Sequence, residues 1–117
     1  SRLVVQPESQ ARIAHLTPTG AKVALEGGSL RLHVRPRADA NWSVEAGPYR
    51  IYVTGTEFEV NWRAPKDVLE VVMLKGSVRV EGPMTSQGIK VTAGERLLAN
   101  LKSSQLRLGA AEPPGAP

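Results

Sequence analysis

The sequence predicts an all-β protein: about ten short strands in a compact β-sandwich or roll, or a short β-solenoid, with glycine bulges. Three observations carry that expectation. Apolar and polar residues alternate with a period of two through most of the chain, as they do in strands with one buried face. The apolar set is mostly Val, Leu and Ile with aromatics at only 4%, while 11 Gly and 9 Pro supply breaks. Turn signals recur at intervals of roughly 8–12 residues, the spacing of sandwiches and barrels. The nearest thing to a helix is Arg96–Gln105, where Leu97, Leu98 and Leu101 also fit one helical face; the alternation of Leu97, Ala99 and Leu101 favours a strand.

The elements follow in order. Leu3-Val4-Val5 reads as an edge strand closed by Gln6-Pro7. Ala11–Leu16 is a weak strand with Ile13 as its core residue. Thr17-Pro18-Thr19-Gly20 turns the chain into Ala21–Leu25, with Val23 and Leu25 inward, and Glu26-Gly27-Gly28-Ser29 is a tight-turn signal. In Leu30–Val34 the aliphatics Leu30, Leu32 and Val34 face the core, while Arg31, His33 and Arg35 face out. A loop over 36–41 leads to Trp42–Ala46, and Gly47-Pro48 turns again. After Val80 come a loop over 81–88, a short strand through Ile89 and Val91, the turn Thr92-Ala93-Gly94-Glu95, and strands through Leu97–Leu101 and Leu106–Leu108.

The central stretch, Tyr49–Val80, organises the rest. Ile51 and Val53 occupy odd positions, whereas Phe58, Val60 and Trp62 occupy even ones. A one-residue slip turns a strand's apolar set to the opposite face, so an extra residue at Gly55, a bulge or sharp corner, is expected to restore it. Leu69, Val71 and Met73 followed by Val78 and Val80 repeat the slip around Gly76. The expectation is a long strand bent at Gly55 and a pair hinged near Gly76, sharing one core. The segments GGSLRLHV, KGSVRV and QGIKV all begin with glycine and then alternate, which fits either a solenoid winding or the ordinary echo of glycine turns.

At 117 residues the chain is long enough for one buried core. A single β domain is expected over 1–108, with a Pro/Gly/Ala-rich disordered tail over 109–117. Ser1 in place of a starting methionine suggests a piece of a longer protein. No run of 18 or more apolar residues is present. There is no cysteine, which removes thiolate metal sites and cysteine nucleophiles. The net charge of +4 is modest and scattered, which argues against a nucleic-acid footprint.

Nothing in the sequence assembles a catalytic set. The two histidines, His15 and His33, belong to no metal-binding pair, and no nucleophile elbow, zinc helix or phosphate loop is present. Glu57 and Glu59 lie near Arg63 on an alternating strand and read as a solvated face. The expectation is a non-enzyme without metal or cofactor, against a cupin-like rival holding a metal with His15, His33 and a glutamate. Candidate partner-binding residues are Arg31, His33 and Arg35, in a basic row that continues to Arg37, with Tyr49 and Tyr52 as aromatic anchors. Trp42 and Trp62 read as core or rim.

The stretch Val53-Thr54-Gly55-Thr56-Glu57-Phe58-Glu59-Val60 resembles the FecR domain, whose signature is Gly-Thr followed by a Phe-x-Val strand. A Gly-x-Val-x-Val strand follows at Gly76-Ser77-Val78-Arg79-Val80, and an Ala-Gly-Glu turn at Ala93-Gly94-Glu95. The earlier Gly28–Val34 element fits as well, so the resemblance spans about residues 11–101. On this resemblance the structural motif is Gly55, Thr56, Phe58, Val60, Gly76, Val78, Val80 and Gly94. It implies a periplasmic interaction or sensory domain of an inner-membrane regulator in cell-surface signalling. Such a domain receives a signal from an envelope protein such as an outer-membrane transducer and controls an extracytoplasmic-function sigma factor. The alternative is a structural spacer or assembly module of an envelope complex.

Overall fold

The computed structural model describes residues 2–36, 40–53, 55–63, 66–85 and 87–110. Eleven strands account for most of them: β1 (Arg2–Val5), β2 (Gln10–Thr17), β3 (Gly20–His33), β4 (Trp42–Ala46), β5 (Tyr49–Val53), β6 (Glu57–Arg63), β7 (Val68–Lys75), β8 (Ser77–Glu81), β9 (Ile89–Thr92), β10 (Glu95–Asn100) and β11 (Gln105–Ala110). Among the described residues there is no α-helix, and the stretch with the helical alternative forms β10 and a turn.

The 14-residue β3 is the spine. Its first half pairs antiparallel with β2 and parallel with β4. Its second half pairs antiparallel with β1 and β6. From there the sheet forks into two halves, one running β6-β7-β10-β11 and the other β4-β5-β8-β9. The halves fold over each other, and β9 comes against β10 and β7, so the sheet nearly closes into a barrel. The outcome is the roll rather than the solenoid.

The expected tight turn at Glu26–Ser29 is instead a bend inside β3. Leu25 and Leu30 are both buried, so the chain must change direction without leaving the sheet. Gly28 takes φ +100°, and a Cβ there would lie 2.2 Å from the Ser9 hydroxyl. That hydroxyl accepts a hydrogen bond from the Ser29 amide at 2.8 Å. Glycine answers both the backbone angle and the close approach.

The corner at Gly55 also differs from a bulge within one long strand. β5 belongs to one half-sheet and β6 to the other, so the chain crosses over between them. Gly76 does the same between β7 and β8. The parity slip is real, but its cause is a change of sheet. Ile51 and Val53 face the core from one side, and Phe58, Val60 and Trp62 face it from the other. The two crossings touch, and the Val34 and Thr56 backbones exchange hydrogen bonds of 2.7 and 3.0 Å beside them.

The core is aliphatic: Val23, Leu25, Leu30, Leu32, Val44, Ile51, Val60, Leu69, Val71, Val78, Val80, Val91 and Leu97 are all buried, with Phe58, Tyr49 and Trp62 as its aromatic members. Ile13 is not part of it. It is 55% exposed, because β2 overhangs the spine where, among the described residues, no opposing strand covers it. β11 runs through Ala110, and the rest of the expected tail, residues 111–117, lies outside the described residues.

Candidate functional site

The proposed partner-binding residues do not converge. Arg31 and His33 stand on the outer face of β3, where Arg31 donates to the Glu59 carboxylate on β6 and His33 lies between Arg2 and Glu57 in register. The hydrogen bond to Glu59 and its charge raise the pKa of the Arg31 guanidinium. Arg35 is exposed just beyond β3. Arg37 lies outside the described residues. Tyr52 projects from β5 on the other half-sheet, 38% exposed. The two sets therefore occupy opposite outer faces of the folded sheet.

Tyr49 is a correction. Its register partner is Ala46, its ring packs edge-on against Trp62 with centroids 6.4 Å apart, and it is buried. It cannot serve as a surface anchor. The alternation Tyr49, Ile51, Val53 places it on the core face, while Tyr52 has the opposite parity. Burial pushes the phenol pKa up, and the hydroxyl has no hydrogen-bond partner among the described residues. A buried hydroxyl without a partner costs free energy that phenylalanine would not. Tyr49→Phe is expected to stabilise the domain by about 1 kcal/mol, read as a higher urea midpoint. A loss of stability would show that the hydroxyl has a partner after all.

A cross-strand row that sequence reasoning missed runs Ser43, Tyr52, Arg79, Lys90 across β4, β5, β8 and β9. Tyr52, Arg79 and Lys90 line a shallow hollow of about 470 Å³ with Gly88 at its rim. The Arg79 guanidinium is already committed, donating to the Gln87 carbonyl at 2.9 Å and pairing with Glu81 at 2.7 Å. Beside it, Glu45 sits between Lys22 and Arg50, at 3.1 and 3.2 Å. Its carboxyl pKa is lowered, mainly by the Lys22 hydrogen bond. Such exposed pairs add little stability.

The Ala93-Gly94-Glu95 turn has a physical reason. The Glu95 carboxylate accepts from the Thr92 amide at 2.8 Å and from its hydroxyl at 2.6 Å, fixing the turn that carries the chain from β9 in one half-sheet to β10 in the other. These bonds favour the ionised form and lower the Glu95 pKa. A depressed folded-state pKa gives stability that is present at neutral pH and lost as pH falls through the folded value. The amides of this turn are therefore expected to lose protection against exchange below pH ~4, and Glu95→Gln should remove that dependence. An unchanged acid profile in the variant would contradict the assignment.

The histidines are not brought together. His15 pairs with Lys22 and His33 with Arg2, so they sit eleven residues apart along β3. Among the described residues no group of three or more His, Asp or Glu could hold a metal. The cupin-like arrangement of His15, His33 and a glutamate is not formed.

A folded-over, mostly antiparallel sheet with a bent spine defines an all-β roll. The sequence matches the family described as FecR protein over residues 1–79, more than half of the chain, and the chain belongs to that family. Two crystal structures of a candidate anti-sigma factor from Parabacteroides distasonis, at 1.65 and 2.50 Å, share the fold. They give TM-scores of 0.78 and 0.76, each at 16% identity and over 95% of this chain. The chain spans 56% and 55% of those two chains. A comparison with curated proteins finds no match. The fold likeness extends past the family match, which stops at Arg79 inside β8, to take in the β9–β10 turn carrying Gly94.

Proposed function

We propose that this chain is the sensory, protein-binding module of a FecR-type regulator in cell-surface signalling that controls a sigma factor. The family match over residues 1–79 carries the reading, and the fold shared with a candidate anti-sigma factor supports it. In this reading the module is non-catalytic and periplasmic, and the full-length protein is anchored in the inner membrane. Its partner is an envelope protein, such as an outer-membrane transducer. Nothing in the geometry favours the spacer alternative over this one.

The test is genetic. In-frame removal of residues 1–110 from the full-length gene is expected to uncouple the transcription of sigma-dependent genes from the inducing signal. An unaltered transcriptional response would sink the sigma-regulator reading. Alkaline phosphatase fused after Ala110 should be active if the module is periplasmic and inactive if it is cytoplasmic.

A further inference from the structure

The geometry points to the free edge of β2 as a docking site for an extended peptide strand that alternates aliphatic and acidic residues. The inference rests on the protein-binding reading above and assigns it a place. β1 and β2 run together along one side of β3, and among the described residues both pair with β3 alone. At eight residues β2 is longer than the other terminal strands, β9 with four and β11 with six. A free edge presents unpaired N–H and C=O groups to which another strand can add.

The side chains of β2 say what should add. Ala11, Ile13 and Leu16 pair with Leu25, Val23 and Ala21, all of them buried. Antiparallel register partners share a face, so these three stand on the core face. By parity alone Leu16 would oppose Ile13. A register shift between Ile13 and His15 brings it back. Cover then runs out along the strand: Ala11 packs against the core, Ile13 is 55% exposed and Leu16 71%. A bulge thus places an aliphatic side chain on the core face at a point where none of the described residues covers it. A strand added at this edge would continue that face, and its own aliphatic residues would lie against Ile13 and Leu16.

The opposite face of the ribbon sets the charge. β1 and β2 carry Arg2 and Arg12 and no carboxylate. Over residues 2–33 the bases Arg2, Arg12, Lys22 and Arg31 face only Glu8 and Glu26 as acids. Arg12 pairs with Glu26 at 3.1 Å, but both side chains are more than half exposed, so a strand carboxylate can compete for the guanidinium. The same charge count disfavours a second copy, because antiparallel self-pairing would bring like charges together.

The probe is a capped octapeptide of alternating valine and glutamate, titrated into the isotope-labelled chain. Amide exchange of residues 10–17 is expected to slow at least tenfold at saturation. The double variant Ile13→Asp/Leu16→Asp is expected to bind roughly tenfold weaker or less still, the loss of about one buried aliphatic contact. Its urea midpoint should not move, since both side chains are exposed. The alternating valine–lysine peptide should bind at least as poorly. Protection at β9 or β11 instead, no protection at all, or equal binding of the lysine peptide would each overturn the assignment. So would a concentration-dependent dimer in sedimentation that the double variant abolishes, since the edge would then serve a second copy. If the edge fails but the in-frame deletion still uncouples transcription, only the edge assignment falls.

Discussion

Replacing Gly76 by alanine is expected to cost the domain about 3 kcal/mol or more, roughly one fifth to three fifths of the stability of an ordinary domain. Two effects add. Gly76 takes φ +75°. An L residue held in that left-handed conformation loses roughly 1–2 kcal/mol. In addition, a Cβ would lie 2.5 Å from the Gly55 carbonyl oxygen and 3.0 Å from Thr56 Cγ2. The carbonyl cannot swing aside, because the next residue is fixed by its two backbone hydrogen bonds with Val34. Both sheet crossings would have to shift together. Gly94 is the control: its φ is +84°, yet a Cβ there meets nothing within 4 Å. Gly94→Ala should therefore show the conformational cost alone. The difference between the two urea midpoints isolates the packed corner, and equal losses would mean that the crossings do not support each other.

That corner also shows how far the sequence could be read. The parity change between Val53 and Phe58 was legible, and so was the conclusion that both sides share an interior. Parity reports only which way a side chain faces the core, so a bulge and a change of sheet leave the same trace. Telling them apart requires pairing partners, and β5 finds β8 some thirty residues away. The glycines at 26–29 misled for a related reason. Turn chemistry and a sharp bend within a strand both call for positive φ, and only the partner strands β1, β2, β4 and β6 show that β3 runs on through them. Ile13 was assigned to the core because its strand pattern is sound. Its face is indeed the core face, but cover depends on the opposite half-sheet, which no local pattern encodes. Of the candidate site, the outward placement of Arg31, His33 and Arg35 was legible from alternation, and of the two tyrosines offered as anchors only Tyr52 is exposed. Tyr49, two residues from Ile51 on the same strand, had the parity of a buried residue all along. The Tyr52–Arg79–Lys90 row was invisible, since its members meet only through strand register.

Phe58→Ala is expected to be the most damaging single core change, at about 4 kcal/mol. Phe58 is the only phenylalanine of the chain and is fully buried on β6. Its register partners are Leu32 on β3 and Met73 on β7, both buried as well. It therefore fills the space between the half-sheets beside the crossings, in a core built mostly of aliphatics. Those neighbours are held by strands paired on both sides, so they can close little of the space a lost ring leaves. Met73, unbranched and directly opposite on β7, is the neighbour best able to follow. This gives the prediction a second arm. Phe58→Leu keeps most of the volume and should cost about 1 kcal/mol. Phe58→Ala with Met73 intact should cost less than the same change made in a Met73→Val background. A loss under about 2 kcal/mol for Phe58→Ala would mean that the half-sheets can close on one another. The crossings at Gly55 and Gly76 would then not fix their separation, and the expected penalty at Gly76 would shrink with it.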